Sequence, residues 1–510
     1  MNKDNIIVWV MVSFTLLLLS SQVYAAEGDK ENGKKVYEKR CAWCHGWQGA
    51  GDGPSAPFLN PPPRDFTSGM YKFKTTQFDE LIPTDEDIFR MITDGMPDSS
   101  MPGWKDILSD KGRWDLVAYI KTFAGLEGKP SKQIDLSKRV KSSSEGLVKG
   151  KELFKDRCSE CHGEDGKGDA NKKLKDDWGA RTWPRNLTKA WTFRASNGPN
   201  DIYARVTAGI PGTQMPSFAD PASKKKMTDE ERWHVANYVT TLADKKKEIK
   251  EGETVLKARR IDDALPDKPD DPRWGEAEPT NFYLVPQIIG GERFFTPTVN
   301  SITARAFYND KEIAILLEWD DRTKSIPGEE KAKDLADGEV LEDAVALQFP
   351  LTIPEEMEKP YFGMGDSTKP VSIWFWKSER LVPAGSNQGK DTPQTAKLLN
   401  ASGFKKIEEK DTRKAGLTSV GVYNKGTWRV VMKRPLTTGE SDIQVEEGKF
   451  IPIAFAIWDG TNGEKGSKYT MTTWYWLFLK PSAGMKVYVI PLIVAIAIFG
   501  GELFLVRKRS

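Results

Sequence analysis

Cys41-Ala42-Trp43-Cys44-His45 and Cys158-Ser159-Glu160-Cys161-His162 share one spacing, C-x-x-C-H, and together use all four cysteines and two of the three histidines of the chain. Two thiols three residues apart can bond both vinyl groups of one porphyrin while the adjoining imidazole meets the iron, which is the haem c attachment signature. A redox C-x-x-C pair or half a zinc site would use the same cysteines. Two copies that use every cysteine, each with a His adjoining, weigh against both readings, and no cysteine remains for a structural disulfide. The spacing therefore predicts two covalent haem c groups, on Cys41 and Cys44 and on Cys158 and Cys161, with His45 and His162 on the iron.

The elements that position these motifs recur. Gly33-Lys34-Lys35-Val36-Tyr37 matches Gly150-Lys151-Glu152-Leu153-Phe154, and a C-x-x-C-H string follows each at the same distance. Pro63-Arg64-Asp65-Phe66-Thr67 matches Pro184-Arg185-Asn186-Leu187-Thr188, and Asp87-Ile88-Phe89 matches Asp201-Ile202-Tyr203. Gly95 with Met101-Pro102 matches Gly209 with Met215-Pro216, and the offset stays between 114 and 121 throughout. A sustained offset means two copies of one module. Each copy reads as helix, loop, helix, the last helix spanning Lys111 to Phe123 or Asp229 to Leu242 with apolar residues at helical spacing.

This layout resembles class I cytochrome c over residues 27–128 and 147–247. The resemblance implies a late Met as the sixth iron ligand. Met101 and Met215 occupy that place, with Met96 a rival in the first copy. Thioether ligation closes the iron to substrates, so these haems would pass electrons without bond chemistry. A peroxidase-like dihaem enzyme needs an open iron and fits less well. His234, the histidine outside the motifs, reads as structural.

The ends carry apolar runs. Ile6 to Leu19 follows Lys3 and precedes Val23-Tyr24-Ala25-Ala26, which predicts a signal peptide over 1–25. Residues 487–506 are long enough to span a bilayer, with Pro491 and Glu502 interrupting them and Arg507-Lys508-Arg509 following. By the positive-inside rule that tail would stay cytoplasmic, giving a single-pass anchor with the bulk of the chain on the periplasmic face of the membrane. Lys+Arg 75 against Asp+Glu 73 gives a net charge of +2, without the basic surplus that nucleic acid requires.

The second half changes character. Residues 248–278 are charged and Pro-containing and read as a linker. Residues 279–480 then alternate with period two in short runs, Ser301–Tyr308, Glu312–Trp319, Ala344–Phe349, Val371–Trp376, Trp428–Met432, Ile451–Trp458 and Thr470–Leu479, between Gly, Asp, Asn and Pro turns. That pattern predicts a β-sandwich. The expected fold class is thus two all-α cytochrome c domains, an all-β sandwich and one C-terminal transmembrane helix.

The strings Ala306-Phe307-Tyr308-Asn309, Leu317-Glu318-Trp319-Asp320-Asp321, Gly363-Met364-Gly365-Asp366, Pro370-Val371-Ser372-Ile373-Trp374-Phe375-Trp376-Lys377 and Ala456-Ile457-Trp458-Asp459-Gly460 resemble the haem b subunit of periplasmic molybdenum enzymes, the gamma subunit of the ethylbenzene dehydrogenase group. That resemblance implies a non-covalent haem b held by a Met and a Lys. Met364 matches the Met, Lys468 is the first choice for the Lys, and Lys433 is the runner-up. It also implies an electron-transfer subunit of a molybdenum oxidoreductase, nitrite oxidoreductase among the group. Its partners would be Fe–S and molybdopterin subunits on one side and a soluble cytochrome c or membrane oxidase on the other. The alternative is a dihaem cytochrome c carrier whose sandwich binds a ligand or carbohydrate.

Overall fold

The computed structural model describes residues 28–481 except 60, 98, 171, 180, 251, 327, 355–357, 379–395 and 439–442, and beyond 481 only 493, 495 and 498. The expected signal peptide, and all but three residues of the expected 487–506 span, lie outside the described residues. The chain divides into two units, 1–168 with 173–243 and 169–172 with 244–510.

In the first unit each module is built on a pair of packed helices. In the first module these are α1 (Lys30–Arg40), followed by the short α2 (Ala42–His45), and α4 (Asp110–Thr122). Between them lies α3 (Asp85–Asp94). The second module repeats this with α5 (Ser144–Arg157), α6 (Ser159–His162), α7 (Pro199–Ala208) and α8 (Asp229–Thr241). It adds a two-residue hairpin of β1 (Leu174–Lys175) and β2 (Arg181–Thr182).

The repeated glycine has a steric reason. A Cβ on Gly33 would stand 2.0 Å from the Asp115 carbonyl oxygen, and one on Gly150 would stand 2.2 Å from that of His234. The helices approach too closely there for any side chain. Tyr37 and Phe154, one turn on, fill the two cores.

The middle of each module holds a helix that a helix–loop–helix reading leaves out. Thr84 and Asp87 form a reciprocal capping box at the start of α3, and Ile88 and Ile92 bury one face. Pro199 opens α7 at a position where its missing N–H costs nothing. The modules also touch. Arg90 of α3 pairs with Asp201 of α7, and Arg64 and Lys72 lie over the Trp178 ring at 5.5 and 5.3 Å.

The expected transmembrane helix is corrected: no helix among the described residues is long and apolar enough to cross a membrane. The longest, α5, has 14 residues. At about 1.5 Å per residue it rises ~21 Å, against a hydrocarbon core of about 30 Å. Among the described residues the fold class is two helical modules and a β domain.

The β domain runs through β3 (Val255–Arg260), β4 (Thr280–Tyr283), β5 (Val285–Pro286), β6 (Ser301–Tyr308), β7 (Glu312–Asp320), β8 (Ala344–Pro350), β9 (Val371–Lys377), β10 (Lys397–Ala401), β11 (Ile407–Lys410), β12 (Thr418–Asn424), β13 (Thr427–Pro435), β14 (Phe450–Trp458), β15 (Thr470–Met471) and β16 (Tyr475–Leu479). The strand order is β11-β10-β9-β8-β14-β16-β3-β6-β7-β13-β12. β14 belongs to both layers. Phe450–Ile453 pairs with β16, and Ala454–Trp458 pairs with β8. A strand shared this way turns the corner between two packed sheets. Trp319 and Trp428 from one layer meet Trp376 from the other, with ring centroids 6.3 and 5.1 Å apart.

Two expectations change here. The segment read as a linker contains β3, which pairs in parallel with both β16 and β6. Leu256 and Ala258 are buried there while Lys257 and Arg259 point outward, a period-two pattern six residues long inside a charged stretch. The single strand expected over Thr470–Leu479 is broken at 472–474. The Thr472 N–H donates to Phe455 O, and the chain crosses from one layer to the other.

Gly150→Ala should lower the stability of the second module by about 2 kcal/mol or more, because an overpacked helix crossing must open. Thermal unfolding followed by circular dichroism checks this, and an unchanged midpoint would refute the close-approach reading.

Candidate functional site

In the first module α1 ends at Cys41, whose N–H reaches Tyr37 O at 2.7 Å, and α2 then delivers His45. His45 Nδ1 lies 3.0 Å from Arg64 O, and in the second module His162 Nδ1 lies 3.0 Å from Arg185 O. A carbonyl oxygen only accepts, so Nδ1 carries the proton in each ring and Nε2 keeps a lone pair. Burial lowers both imidazole pKa values, which further favours the neutral ring. This is the tautomer and orientation that a metal-binding imidazole needs. The repeated Pro-Arg string thus acts through its backbone.

The methionine loops match bond for bond. Met96 N donates to Met101 O at 3.0 Å, and Ile210 N donates to Met215 O at 3.1 Å. Ser99 Oγ accepts from Met101 N, as Thr213 Oγ1 accepts from Met215 N, each at 3.2 Å. Met101, not Met96, is therefore the counterpart of Met215. Met215 and Cys158 pack on one core cluster, and Cys41 packs on the equivalent cluster of the first module. His234 is buried on α8, facing Glu230 Oε1 at 3.3 Å and Gly146 of α5, a structural placement.

Among the buried donors of the first module with no hydrogen-bond partner are Tyr71 Oη and Trp104 Nε1, beside Thr76 Oγ1 and the Nε and Nη1 of Arg113. Such orphans are costly unless a bound group satisfies them. A porphyrin carries carboxylates that could, so the residues present fit haem. Neither Tyr71 nor Trp104 stands out in the sequence, because neither belongs to a motif.

The β domain offers a different, partly open cavity on the outer face of β8, β9 and β14. Alternation explains it. Val345, Leu347 and Phe349 of β8 and Ile451, Ile453, Phe455 and Ile457 of β14 fill the core between the layers. The opposite face of the same strands carries Ala346, Ala454 and Ala456, with Ile373 of β9 beside them. Small side chains there leave a flat apolar floor. Phe362 and Met364 from one loop and Tyr469 and Met471 from another wall it.

Met364 holds φ +66°, left-handed backbone that a non-glycine residue rarely adopts. Its turn is clasped by Asp366, whose Oδ1 accepts from Thr368 N at 2.8 Å and Lys369 N at 2.9 Å. Those bonds, with the Thr368 hydroxyl first, depress the Asp366 pKa to about 2. Strain held by a local clasp marks Met364 as a placed residue.

The lysine choices separate. Lys468 directly precedes Tyr469 of the cavity wall, and its Nζ pairs with Glu292 Oε1 at 2.8 Å. Lys433 lies on β13, between β7 and β12 in the other layer, and faces Glu312 Oε2 at 3.6 Å. The structure brings Lys468 to the rim near Met364 and leaves Lys433 away from it. A floor of alanines walled by aromatic rings and the thioethers of Met364 and Met471 suits an apolar macrocycle, so the cavity residues fit haem b as well.

Comparison with known proteins agrees with this division. Residues 30–124 and 147–243 match the family model for cytochrome c, and residues 271–391 and 399–470 match that for ethylbenzene dehydrogenase. A chlorate reductase subunit gamma from Ideonella dechloratans is 26% identical over 205 residues, 40% of this chain and 75% of that one. A putative respiratory nitrate reductase heme subunit from Haloferax mediterranei is 20% identical over 215 residues, 41% of this chain and 67% of that one. Among solved structures, a reducing HAO-like protein complex of Kuenenia stuttgartiensis is 38% identical, covering 43% of this chain and 98% of that chain, with a TM-score of 0.39.

A carboxylate held below its ordinary value stabilises the fold above pH 3.8 and loses that contribution as pH falls through about 2. A carbon-13 titration of Asp366 should therefore show a midpoint near 2. A midpoint at the ordinary carboxylate value, about 3.9, would mean that the clasp on Met364 does not form.

Proposed function

Because this chain joins two members of the cytochrome c family to one of the ethylbenzene dehydrogenase family, we propose that it is a three-haem electron-transfer subunit of a molybdenum oxidoreductase complex. The observation that carries the reading is the pairing of two imidazole sites, each with Nδ1 tied to a carbonyl, with a separate alanine-floored cavity beside Met364. Two haem c groups are attached covalently, and haem b belongs to the related gamma subunits.

Haem supplies a one-electron iron couple when bound. The protein's part is to hold and insulate. Cys41, Cys44, Cys158 and Cys161 would anchor the two c groups, with His45 and Met101 on one iron and His162 and Met215 on the other. Met364 and Lys468 would hold the third. That role requires Lys468 to leave Glu292. Met on every iron raises its potential, which suits oxidation of a substrate with electrons leaving through the c modules. The contact of Arg64 and Lys72 with Trp178 keeps the two c modules side by side for that exit.

The docking partner in this reading is an Fe–S subunit, and the acceptor is a cytochrome c or an oxidase. Relatives named for nitrate and chlorate reduction point to an oxyanion-converting complex, nitrite oxidation included. The export pattern of the N-terminus and the covalent haem chemistry support a place outside the cytoplasm.

Two experiments test this. Met101→Ala should remove about a third of the ferric thioether-to-iron charge-transfer band, and Met96→Ala should leave it intact. Equal effects would contradict the assignment. Ala456→Leu, which fills the cavity floor, should abolish haem extractable by acidic acetone while the covalent c-type spectrum persists. Full retention of extractable haem would place haem b elsewhere or nowhere.

A further inference from the structure

At one end of the β domain three carboxylates are buried together. Asp321 follows β7, Asp343 precedes β8 and Asp459 follows β14, and each offers an oxygen within 4.8 Å of the other two. All three are at least 95% buried, and Glu464 on the loop after Asp459 is buried too. The strings Leu317–Asp321 and Ala456–Gly460, which hold Asp321 and Asp459, stand out in the sequence, yet electron transfer gives these acids no task.

Hydrogen bonds account for every oxygen of the trio but one. Asp343 Oδ2 accepts from Ser325 N at 2.7 Å and from Trp428 Nε1 at 2.8 Å, and Oδ1 accepts from Gly460 N at 2.9 Å. Asp459 Oδ1 accepts from Asn462 N at 3.2 Å, and Oδ2 accepts from the Thr298 hydroxyl. Asp321 Oδ1 accepts from Thr323 N at 3.1 Å, while Asp321 Oδ2 is buried with no hydrogen-bond partner. Arg322 is the positive charge that acts on Asp321 and Asp459. One guanidinium does not balance these carboxylates.

We infer that Asp321, Asp343 and Asp459 form a structural site for a divalent cation, and that the ion is Ca2+. Oxygens that all bond one ion at about 2.4 Å stand at most ~4.8 Å apart, and the three carboxylates meet that limit. The donors are all hard oxygens, which excludes the ions that prefer imidazole or thiolate. Mg2+ keeps several waters, whereas these carboxylates are enclosed by protein. The amides on Asp343 hold its carboxylate in place as outer partners of a metal ligand do.

The ion would tie together three loops that β7, β8 and β14 leave separate. The third of these runs from Asp459 to Lys468 and Tyr469, and Trp458 Nε1 donates to Gly466 O within it at 3.1 Å. Cation binding would thus fix the wall of the apolar cavity, although the inference rests on no haem assignment.

The test uses the full-length, haem-loaded protein purified without chelator. Elemental mass spectrometry should find about one Ca2+ per chain besides iron. Chelation should lower the melting temperature, and added Ca2+ should restore it by roughly 5–10 °C when it stands ~100-fold above its Kd. Mg2+ at the same concentration should not. Asp321→Asn and Asp459→Asn should lose both the ion and the shift. If either variant fails to fold, chelation and re-addition on the unaltered chain decides. No bound Ca2+ and no shift on adding it, or full retention by folded variants, would overturn the proposal, as would another metal in its place.

Discussion

Everything at the two covalent sites depends on one hydrogen bond, from an imidazole Nδ1 to a backbone carbonyl. Because Arg64 O and Arg185 O can only accept, they fix the tautomer of His45 and His162 and leave Nε2 as the free base. The bond also sets each ring's rotation, at a point where the helix carrying the cysteines has just ended. The two modules keep this arrangement while their side chains diverge. Phe66 stacks on His45 at 4.6 Å, and its counterpart in the repeat is Leu187. What the repeat preserves is a carbonyl in the right place, and the residues around it pack to suit.

The β domain works by a different economy. Its strands bury large residues on the inner face and small ones on part of the outer face, so one sheet serves as both core and floor. β14 makes this possible, since its two halves pair with different layers and its odd-numbered side chains fill the core while Ala454 and Ala456 do not. Met364 is then held over the floor by a strained turn. The strain is supported locally: Gly403 N donates to Met364 O at 2.7 Å, and Gly365 N donates to Tyr361 O at 2.8 Å.

Motifs that act through side chains were legible in the sequence. The methionine pair and the Gly-Met-Gly-Asp turn were singled out by family resemblance, whereas the C-x-x-C-H spacing declares its chemistry by residue type. Strands with clear alternation, such as Ser301–Tyr308, were legible for the same reason. Contributions made through backbone or shape were not. The Pro-Arg string was visible as a repeat, but only the fold reveals that its carbonyl matters. Tyr71 and Trp104 carry no spacing signal, and β3 hides in a charged stretch because its polar face is as long as its apolar one. The lysine choice needed register: one residue of slip would have turned Lys433 inward, and pairing with Ala314 and Thr418 settles its layer. The C-terminal span was read from hydropathy alone, and no described helix reaches the required length and apolarity.

The account stands on three porphyrins in one chain, two bonded and one not. Mass spectrometry of the purified protein under native and then denaturing conditions measures this directly. The account predicts a native mass of polypeptide plus three haems that falls to polypeptide plus two when the chain unfolds. Equal masses in both states, or fewer than two adducts on the unfolded chain, would contradict it.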